Sequence, residues 1–148
     1  MFLVAAAMVS AWLITVADIP KQLIELLRPL IEHPMLLMIA IMLLVMAVGT
    51  AMDMTPTILI MTPVLMPVIK EAGIDPVYFG VNIIFTLMIG TLTPPMGMIL
   101  FVVSKSHGVE MHRLIRATIP WLIPLIIVQI LMIMYPPFIL ALPRLFMS

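Results

Sequence analysis

Long apolar runs separated by short polar stretches organise the chain. Residues 1–18, 34–71, 76–105 and 119–143 are predominantly apolar, whereas residues 19–33 and 106–118 mix charged and apolar side chains. A bilayer core about 30 Å thick requires roughly 20 apolar residues for one helical crossing. The pattern predicts an all-α integral membrane protein, in which residues 1–18 and 119–143 form transmembrane helices.

The stretch 19–33 has the pattern of an amphipathic helix. Four leucines follow one another at helical spacing, while charged residues occupy the remaining surface: Leu23, Leu26, Leu27 and Leu30 against Lys21, Glu25, Arg28 and Glu32. Such a helix lies along a membrane interface rather than crossing the bilayer. Residues 106–118 form a similar connector, so both stretches are predicted to be interfacial arms.

Residues 34–71 contain two apolar runs that meet at Asp53. They form either two full crossings, with Asp53 in an aqueous turn, or a re-entrant hairpin with Asp53 at its tip, and the sequence favours the hairpin. Thr55 is predicted to cap the second helix, and Pro56 to occupy its first position. Asp53 is then either a structural cap or a ligand.

Residues 76–105 could form one tilted crossing, but the segment "GTLTPPMG" interrupts it. Prolines lack an amide hydrogen and glycines adopt unusual backbone angles, so the predicted transmembrane helix is discontinuous here. Carbonyl and hydroxyl oxygens freed at such a break suit a small hard cation, and the following helix N-terminus suits an anion. The alternative is a proline kink whose threonine hydroxyls bond to carbonyls one turn back. The residues concerned are Gly90, Thr91, Thr93, Pro94, Pro95 and Gly97.

Composition and charge narrow the range of functions. Of the 148 residues 64% are hydrophobic and 9% are charged, and seven basic residues balance seven acidic ones. No basic stripe is available for nucleic acid, and the absence of cysteine excludes disulfides and thiolate chemistry. An intramembrane aspartyl enzyme requires paired carboxylates, and Asp53 stands alone in its run, so no enzyme activity is predicted. Asn82 and Gln129 are either interhelical hydrogen-bonding groups or binding residues.

The distribution of positive charge predicts an orientation. Lys105, Arg113 and Arg116 cluster in one connector, whereas the other basic residues are scattered over three segments. The positive-inside rule therefore places residues 105–116 in the cytoplasm and the C-terminus outside.

Two long stretches resemble a known family. "MDMTPTILIMTPVLMPVIKEAGIDPVYFGV" and "LMIGTLTPPMGMILFVVS" are similar to the C-terminal part of the large membrane subunit of TRAP transporters, the tripartite ATP-independent periplasmic carriers. The resemblance implies a sodium-coupled secondary transporter that imports a small organic anion across a bacterial or archaeal inner membrane by an elevator mechanism. Residues 34–71 would be the re-entrant hairpin and residues 76–105 the discontinuous helix of the second of two inverted repeats.

The resemblance also implies site residues and partners. Sodium and substrate would meet Gly49, Asp53 and Thr55 at the hairpin tip, with a further set in the helix break: Gly90, Thr91, Thr93 and Met96. Sodium would be the coupling ion, with no organic cofactor. The partners would be the N-terminal half of the large subunit, a small membrane subunit and a periplasmic solute-binding protein.

Only one repeat is recognisable in the chain, so we expect it to be the C-terminal half of a transporter. Two alternatives remain at this stage. The chain is a truncated, non-transporting membrane fragment, or it is half of a related dicarboxylate- or citrate-type carrier.

Overall fold

The computed structural model describes residues 1–94 and 97–147, without the side chains of Leu3, Thr15, Ile19, Pro20 and Leu23. Over these residues the chain forms helices and no strand. Their order is α1 (Phe2–Val16), α2 (Ile19–Ile31), α3 (Pro34–Ala51), α4 (Met54–Glu71), α5 (Pro76–Leu92), α6 (Met98–His107), α7 (Met111–Met134) and α8 (Pro136–Met147).

The centre of the fold is the pair α3 and α5, which pack more extensively than any other two helices among the described residues. Met42 contacts Thr86, and Gly49 lies against Gly90, so the two helices run in parallel and end at the same level. Helix α4 returns in the opposite direction and packs mainly against α1 and α2. Helix α7 lies antiparallel to α5, because Gln129 contacts Asn82 and Ile133 contacts Tyr78.

One hydrophobic cluster joins these helices. It combines side chains from α3, α4, α5, α7 and α8: Leu37, Met38, Ile41, Met42, Val45, Leu65, Val68, Ile69, Tyr78, Phe79, Ile83, Leu87, Ile133 and Ile139. Large apolar side chains nevertheless remain exposed, including Trp12 on α1, Phe101 on α6 and Trp121 on α7. By length and composition, α3 and α7 are the two described helices capable of crossing a membrane.

Helix α2 packs on the core through a narrower face than the leucine pattern indicated. Leu27 and Leu30 are partly buried against the cluster together with Ile24 and Ile31, whereas Leu26 is 73% exposed. The exposed Leu26 leaves part of the apolar stripe facing away from the protein, as an interfacial helix requires. At its N-terminal side, Asp18 adopts a left-handed backbone angle and pairs with Lys21 at 2.8 Å.

Helix boundaries in the C-terminal part differ from the predicted segments. Helix α6 ends at His107, Gly108 adopts a left-handed angle of φ 64°, and α7 then begins at Met111. Residues 111–118 therefore belong to the same helix as the apolar segment that follows them, rather than to a separate arm. Helix α7 continues through two internal prolines to Met134, and a new helix, α8, begins at Pro136. Two successive prolines at 136 and 137 remove two backbone donors, which ends α7 within the predicted 119–143 segment.

Candidate functional site

The predicted hairpin tip and the predicted helix break meet through two glycines. A Cβ atom at Gly90 would lie 3.1 Å from the carbonyl oxygen of Met46 and 3.3 Å from the Cα atom of Gly49. A Cβ atom at Gly49 would lie 3.1 Å from Cδ2 of Leu87. Only glycine at position 90 permits this approach without displacement, so the ends of α3 and α5 are held together at the backbone.

Asp53 is the N-cap of α4. Its Oδ1 atom accepts a hydrogen bond of 2.8 Å from the backbone N–H of Met54, and its carbonyl oxygen accepts one of 2.7 Å from the hydroxyl of Thr57. The prediction that Thr55 caps the helix is wrong, because Thr55 and Pro56 lie inside the first turn. Asp53 and Thr55 are both exposed, and the described polar contacts of Asp53 stay within α4.

The structure has the interruption that the sequence predicted between α5 and α6. Helix α5 ends at Leu92 and α6 begins at Met98, while Pro94 lies in the intervening turn. Pro95 and Met96, which were assigned to the break and to ligand binding, lie outside the described residues. The structure thus combines both predicted alternatives. The helix is interrupted, and the hydroxyl groups of its last threonines also donate hydrogen bonds to carbonyls of the preceding turn.

The hydroxyl groups of Thr91 and Thr93 both donate to the preceding turn. Thr91 donates to the carbonyl of Met88 at 2.8 Å, and Thr93 donates to the carbonyl of Ile89 at 2.7 Å. This is the arrangement expected of a kinked helix. It also directs each hydroxyl proton into the helix, so each threonine oxygen offers only lone pairs to a further partner.

Gly97 brings two carbonyl oxygens of the break together. A Cβ atom at this position would lie 2.8 Å from the carbonyl oxygen of Thr91 and 3.3 Å from that of Thr93. The two carbonyls thus face the same space beside Gly97, and each belongs to a threonine whose hydroxyl also carries lone pairs. Carbonyl and hydroxyl oxygens are the ligands that hard cations such as sodium prefer.

Beyond these oxygens, α6 begins with its N-terminus at the break. Gly97 is its N-cap, and the carbonyl of Gly97 accepts from Phe101 at 3.0 Å. The first N–H groups of a helix lack partners within it and carry partial positive charge. The break therefore presents electron-rich oxygens from α5 and an electropositive helix end from α6.

Buried polar side chains lie along α5 before the break and on the adjoining face of α7. Two of them, Asn82 and Gln129, were identified from the sequence. Gln129 donates to the side-chain oxygen of Asn82 at 3.1 Å, which makes this pair an interhelical contact. Thr86 and Tyr78 share the same face of α5 and were missed. Their four-residue spacing from Asn82 was the available signal, since residues 78, 82 and 86 fall one turn apart.

A groove of about 370 Å³ lies at the other end of α5. Asp75, Tyr78 and Ile133 are among the residues that line it. The helix separates this groove from the break by its full length, so the groove and the oxygen cluster are distinct features.

Comparison with known proteins identifies the family. Residues 1–138 match the model of the tripartite ATP-independent periplasmic transporter, DctM component. The chain belongs to this family, which confirms the resemblance seen in its sequence.

Relatives of several named specificities share this similarity. The chain is 47% identical over 140 residues to the 2,3-diketo-L-gulonate TRAP transporter large permease protein YiaN of Escherichia coli, covering 95% of this chain and 33% of the relative. It is 40% identical over 146 residues to the sialic acid large permease protein SiaM of Vibrio cholerae, covering 99% of this chain and 34% of that protein. It is 34% identical over 144 residues to the C4-dicarboxylate large permease protein DctM of Pseudomonas aeruginosa, covering 97% and 34%. The chain thus spans about a third of the length of these curated relatives.

Proposed function

We propose that the chain is the second, C-terminal repeat of a sodium-coupled permease that imports a small organic anion with a periplasmic binding protein. The observation that carries this proposal is the contact of Gly49 with Gly90, which places the α3–α4 junction beside the α5–α6 break. Two chain interruptions side by side are a costly arrangement in hydrocarbon unless protein covers them or they line a water-filled cavity.

The antiparallel packing of α5 and α7 supports a site within the bundle, beside α7. Asn82 on α5 lies level with Gln129 on the antiparallel α7. Gly90, two turns after Asn82, is therefore level with Trp121, two turns before Gln129. Trp121 is near the middle of this 24-residue helix, which is long enough at about 1.5 Å per residue to cross a bilayer. The break therefore lies beside the part of α7 that follows Arg116, toward the N-terminal end of that helix.

The same argument supports a re-entrant hairpin for residues 34–71. Helix α3 ends level with the break, and the chain then returns as α4, whereas the α5 chain continues as α6. A hairpin that turns back at the level of a break within one crossing is the arrangement expected of a re-entrant element. Asp53 would then lie at the tip, facing the region of the break.

The proposed cation is sodium, held by the oxygens of the break and stabilised by the hairpin tip. Thr91 and Thr93 would supply carbonyl and hydroxyl oxygens, and the Asp53 carboxylate would add negative charge at the hairpin tip. A carboxylate of the substrate would bind next to the cation, near the N-terminus of α6. Because ion and substrate share one site, each increases the affinity for the other by the same free energy.

The relatives suggest the class of substrate. Their names specify diketogulonate, sialic acid and C4-dicarboxylate, and all three are carboxylates. We infer a small organic acid for this chain as well. The further partners would be the N-terminal part of the large permease and a small membrane subunit, in an inner membrane with residues 105–116 on the cytoplasmic side.

The test is uptake of radiolabelled organic acids into proteoliposomes under an imposed sodium gradient. The chain would be reconstituted alone and then with an N-terminal permease segment, small subunit and binding protein. We expect sodium-dependent uptake only in the full mixture, and its loss in Thr93→Val with assembly intact. Thr118→Val is the matched control, because its hydroxyl likewise donates to a carbonyl of its own helix, that of Leu114.

Absence of uptake from every correctly inserted and assembled combination would contradict transport and favour a non-transporting fragment. Uptake without a binding protein would instead indicate a carrier of the dicarboxylate or citrate type.

A further inference from the structure

Three buried polar residues form a line along α5. Tyr78, Asn82 and Thr86 are separated by one helical turn each, and their exposed fractions are 5%, 0% and 0%. Apolar side chains would fill this interior without any hydrogen-bonding requirement, since a buried polar group costs free energy unless it is paired. The line therefore requires an explanation other than packing.

Two hydrogen bonds join this line to α7. The hydroxyl of Tyr78 donates to the carbonyl of Ile133 at 2.6 Å, and Nε2 of Gln129 donates to Oδ1 of Asn82 at 3.1 Å. The partners are four residues apart on each helix, in opposite directions. A slip of one turn between α5 and α7 would break both bonds, so together they define the register of the two helices.

A third contact extends from Asn82 to α3. The hydroxyl of Thr86 lies 2.8 Å from the carbonyl oxygen of Asn82 and 3.0 Å from Sδ of Met42. One turn further along both helices, Gly90 meets the carbonyl of Met46. The contacts therefore lead from Gln129 on α7 through Asn82 and Thr86, and one turn later the Gly90 contact lies two residues before the end of α5.

The side-chain amide of Gln129 is only partly hydrogen-bonded. It is 3% exposed, and among the described residues its Oε1 atom has no hydrogen-bond partner. An unpaired buried oxygen is unfavourable, yet the residue keeps its other atom on Asn82. This pattern fits a group whose role is to hold a position.

We propose that Gln129 is a positioning residue: through Asn82 it fixes the register of α5, and thereby places the Thr91 and Thr93 oxygens just beyond the Gly49–Gly90 contact. This inference rests on the proposed function, because those oxygens are the proposed sodium ligands. Neither Gln129 nor Asn82 contacts the ion in this scheme.

The test compares a single with a double substitution in the reconstituted transporter. Gln129→Leu leaves Oδ1 of Asn82 without its donor, whereas Asn82→Leu combined with Gln129→Leu removes both polar groups. Replacing both partners by apolar groups costs less stability than leaving one unpaired. We therefore expect a lower melting temperature for the single variant than for the double variant.

Sodium dependence separates positioning from simple stability. We expect the sodium concentration for half-maximal uptake to rise about fivefold or more in both variants, with the maximal rate changed by less than about twofold. The exchanged pair Asn82→Gln with Gln129→Asn keeps an amide on each helix and should restore most of the sodium affinity. Thr118→Val on the same helix α7 serves as the control and should match the parent.

A second readout does not depend on transport. Because the chain has no native cysteine, spin labels can be attached at Ala51→Cys and Met98→Cys, at the end of α3 and the start of α6. Electron paramagnetic resonance of the assembled transporter should show a shifted or broadened distance between the labels in both the single and the double Leu variant. Thr118→Val again provides the comparison.

The outcomes distinguish this inference from the proposed function. Unchanged label distances and unchanged sodium dependence in the double variant would overturn the positioning role while leaving sodium-coupled transport intact. If the label distances shift in the variants but the parent protein shows no sodium-dependent uptake, the positioning role is supported and the proposed function is refuted. A sodium affinity that falls only in the less stable single variant would identify a structural contact and overturn the inference.

Discussion

Gly49 on α3 and Gly90 on α5 touch through their backbones, with a Cβ atom at Gly90 calculated to lie 3.3 Å from the Cα atom of Gly49. These residues are 41 positions apart in the sequence, and they bring two separate chain interruptions to the same place. The geometry of this contact accounts for the first prediction.

Gly90→Ala should separate the ends of α3 and α5. The added methyl group would meet the carbonyl of Met46 at 3.1 Å, and backbone atoms yield less readily than side chains. We expect a loss of about 1–3 kcal/mol of stability from overpacking, together with reduced uptake. Thermal unfolding in detergent and uptake in proteoliposomes measure the two effects.

Gly80→Ala is the matched control on the same helix. A Cβ atom at Gly80 would meet no described atom within 4 Å. Alanine in a helix interior is favoured over glycine by about 1 kcal/mol, so this variant should be at least as stable as the parent. If both alanine variants behaved alike, the close crossing at Gly90 would not be the cause.

Tyr78→Phe should destabilise the fold by about 1–3 kcal/mol through one unpaired carbonyl. In a continuing helix, the carbonyl of Ile133 would accept from the N–H of residue 137, but that residue is Pro137 and has no N–H. The hydroxyl of Tyr78 takes the place of this donor at 2.6 Å.

Thermal unfolding measures this effect, and Tyr135→Phe is the control. Tyr135 also lies at the end of α7, but it is 62% exposed, so removing its hydroxyl should leave the melting temperature nearly unchanged. An equal shift in both variants would mean that the bond to Ile133 contributes nothing specific.

Asp53→Asn should separate the capping role of Asp53 from the role of its charge. Asparagine is as good an N-cap as aspartate and can accept the hydrogen bond from Met54, so stability should change little. Asp53→Ala should cost about 1 kcal/mol of stability, because it removes the cap.

If the carboxylate supports cation binding, both variants should require more sodium for half-maximal uptake. Measuring uptake against sodium concentration at saturating substrate tests this. A normal sodium dependence for Asp53→Asn would assign Asp53 to capping alone.

Gly97→Ala should weaken cation binding more than it weakens the fold. Its added methyl group would approach the carbonyl oxygen of Thr91 to 2.8 Å and force that oxygen, or the α6 end, to move. We expect a higher sodium requirement for uptake. Gly80→Ala is again the comparison, and unchanged sodium dependence in Gly97→Ala would exclude these carbonyls as ligands.

Single cysteines can test the proposed orientation, since the chain has no cysteine of its own. His107→Cys at the end of α6 should react with a membrane-impermeant thiol reagent only from the cytoplasmic side. Glu71→Cys at the end of α4 should react only from the periplasmic side. Reaction of both from one side would contradict the arrangement of α5 and α6 as one interrupted crossing.

The sequence by itself determined the local features of this protein. Apolar runs predicted the helices, two prolines and two glycines in "GTLTPPMG" predicted the break, and motif similarity predicted the family that the comparisons confirm. These features depend on residues close together in the chain, because backbone donors, backbone angles and helical periodicity are local properties. Asp53 and Thr55 both satisfy the capping preference, and the structure confirms the capping alternative for Asp53 while the prediction of a cap at Thr55 is wrong.

Tertiary structure alone decided which of these features meet. Nothing local to Gly49 specifies that it lies on Gly90, or that Gln129 bonds to Asn82 across 47 positions. Side-chain fit and hydrogen-bond pairing between distant segments select one helix register among several, and that register brings the oxygens of the break to the end of α3.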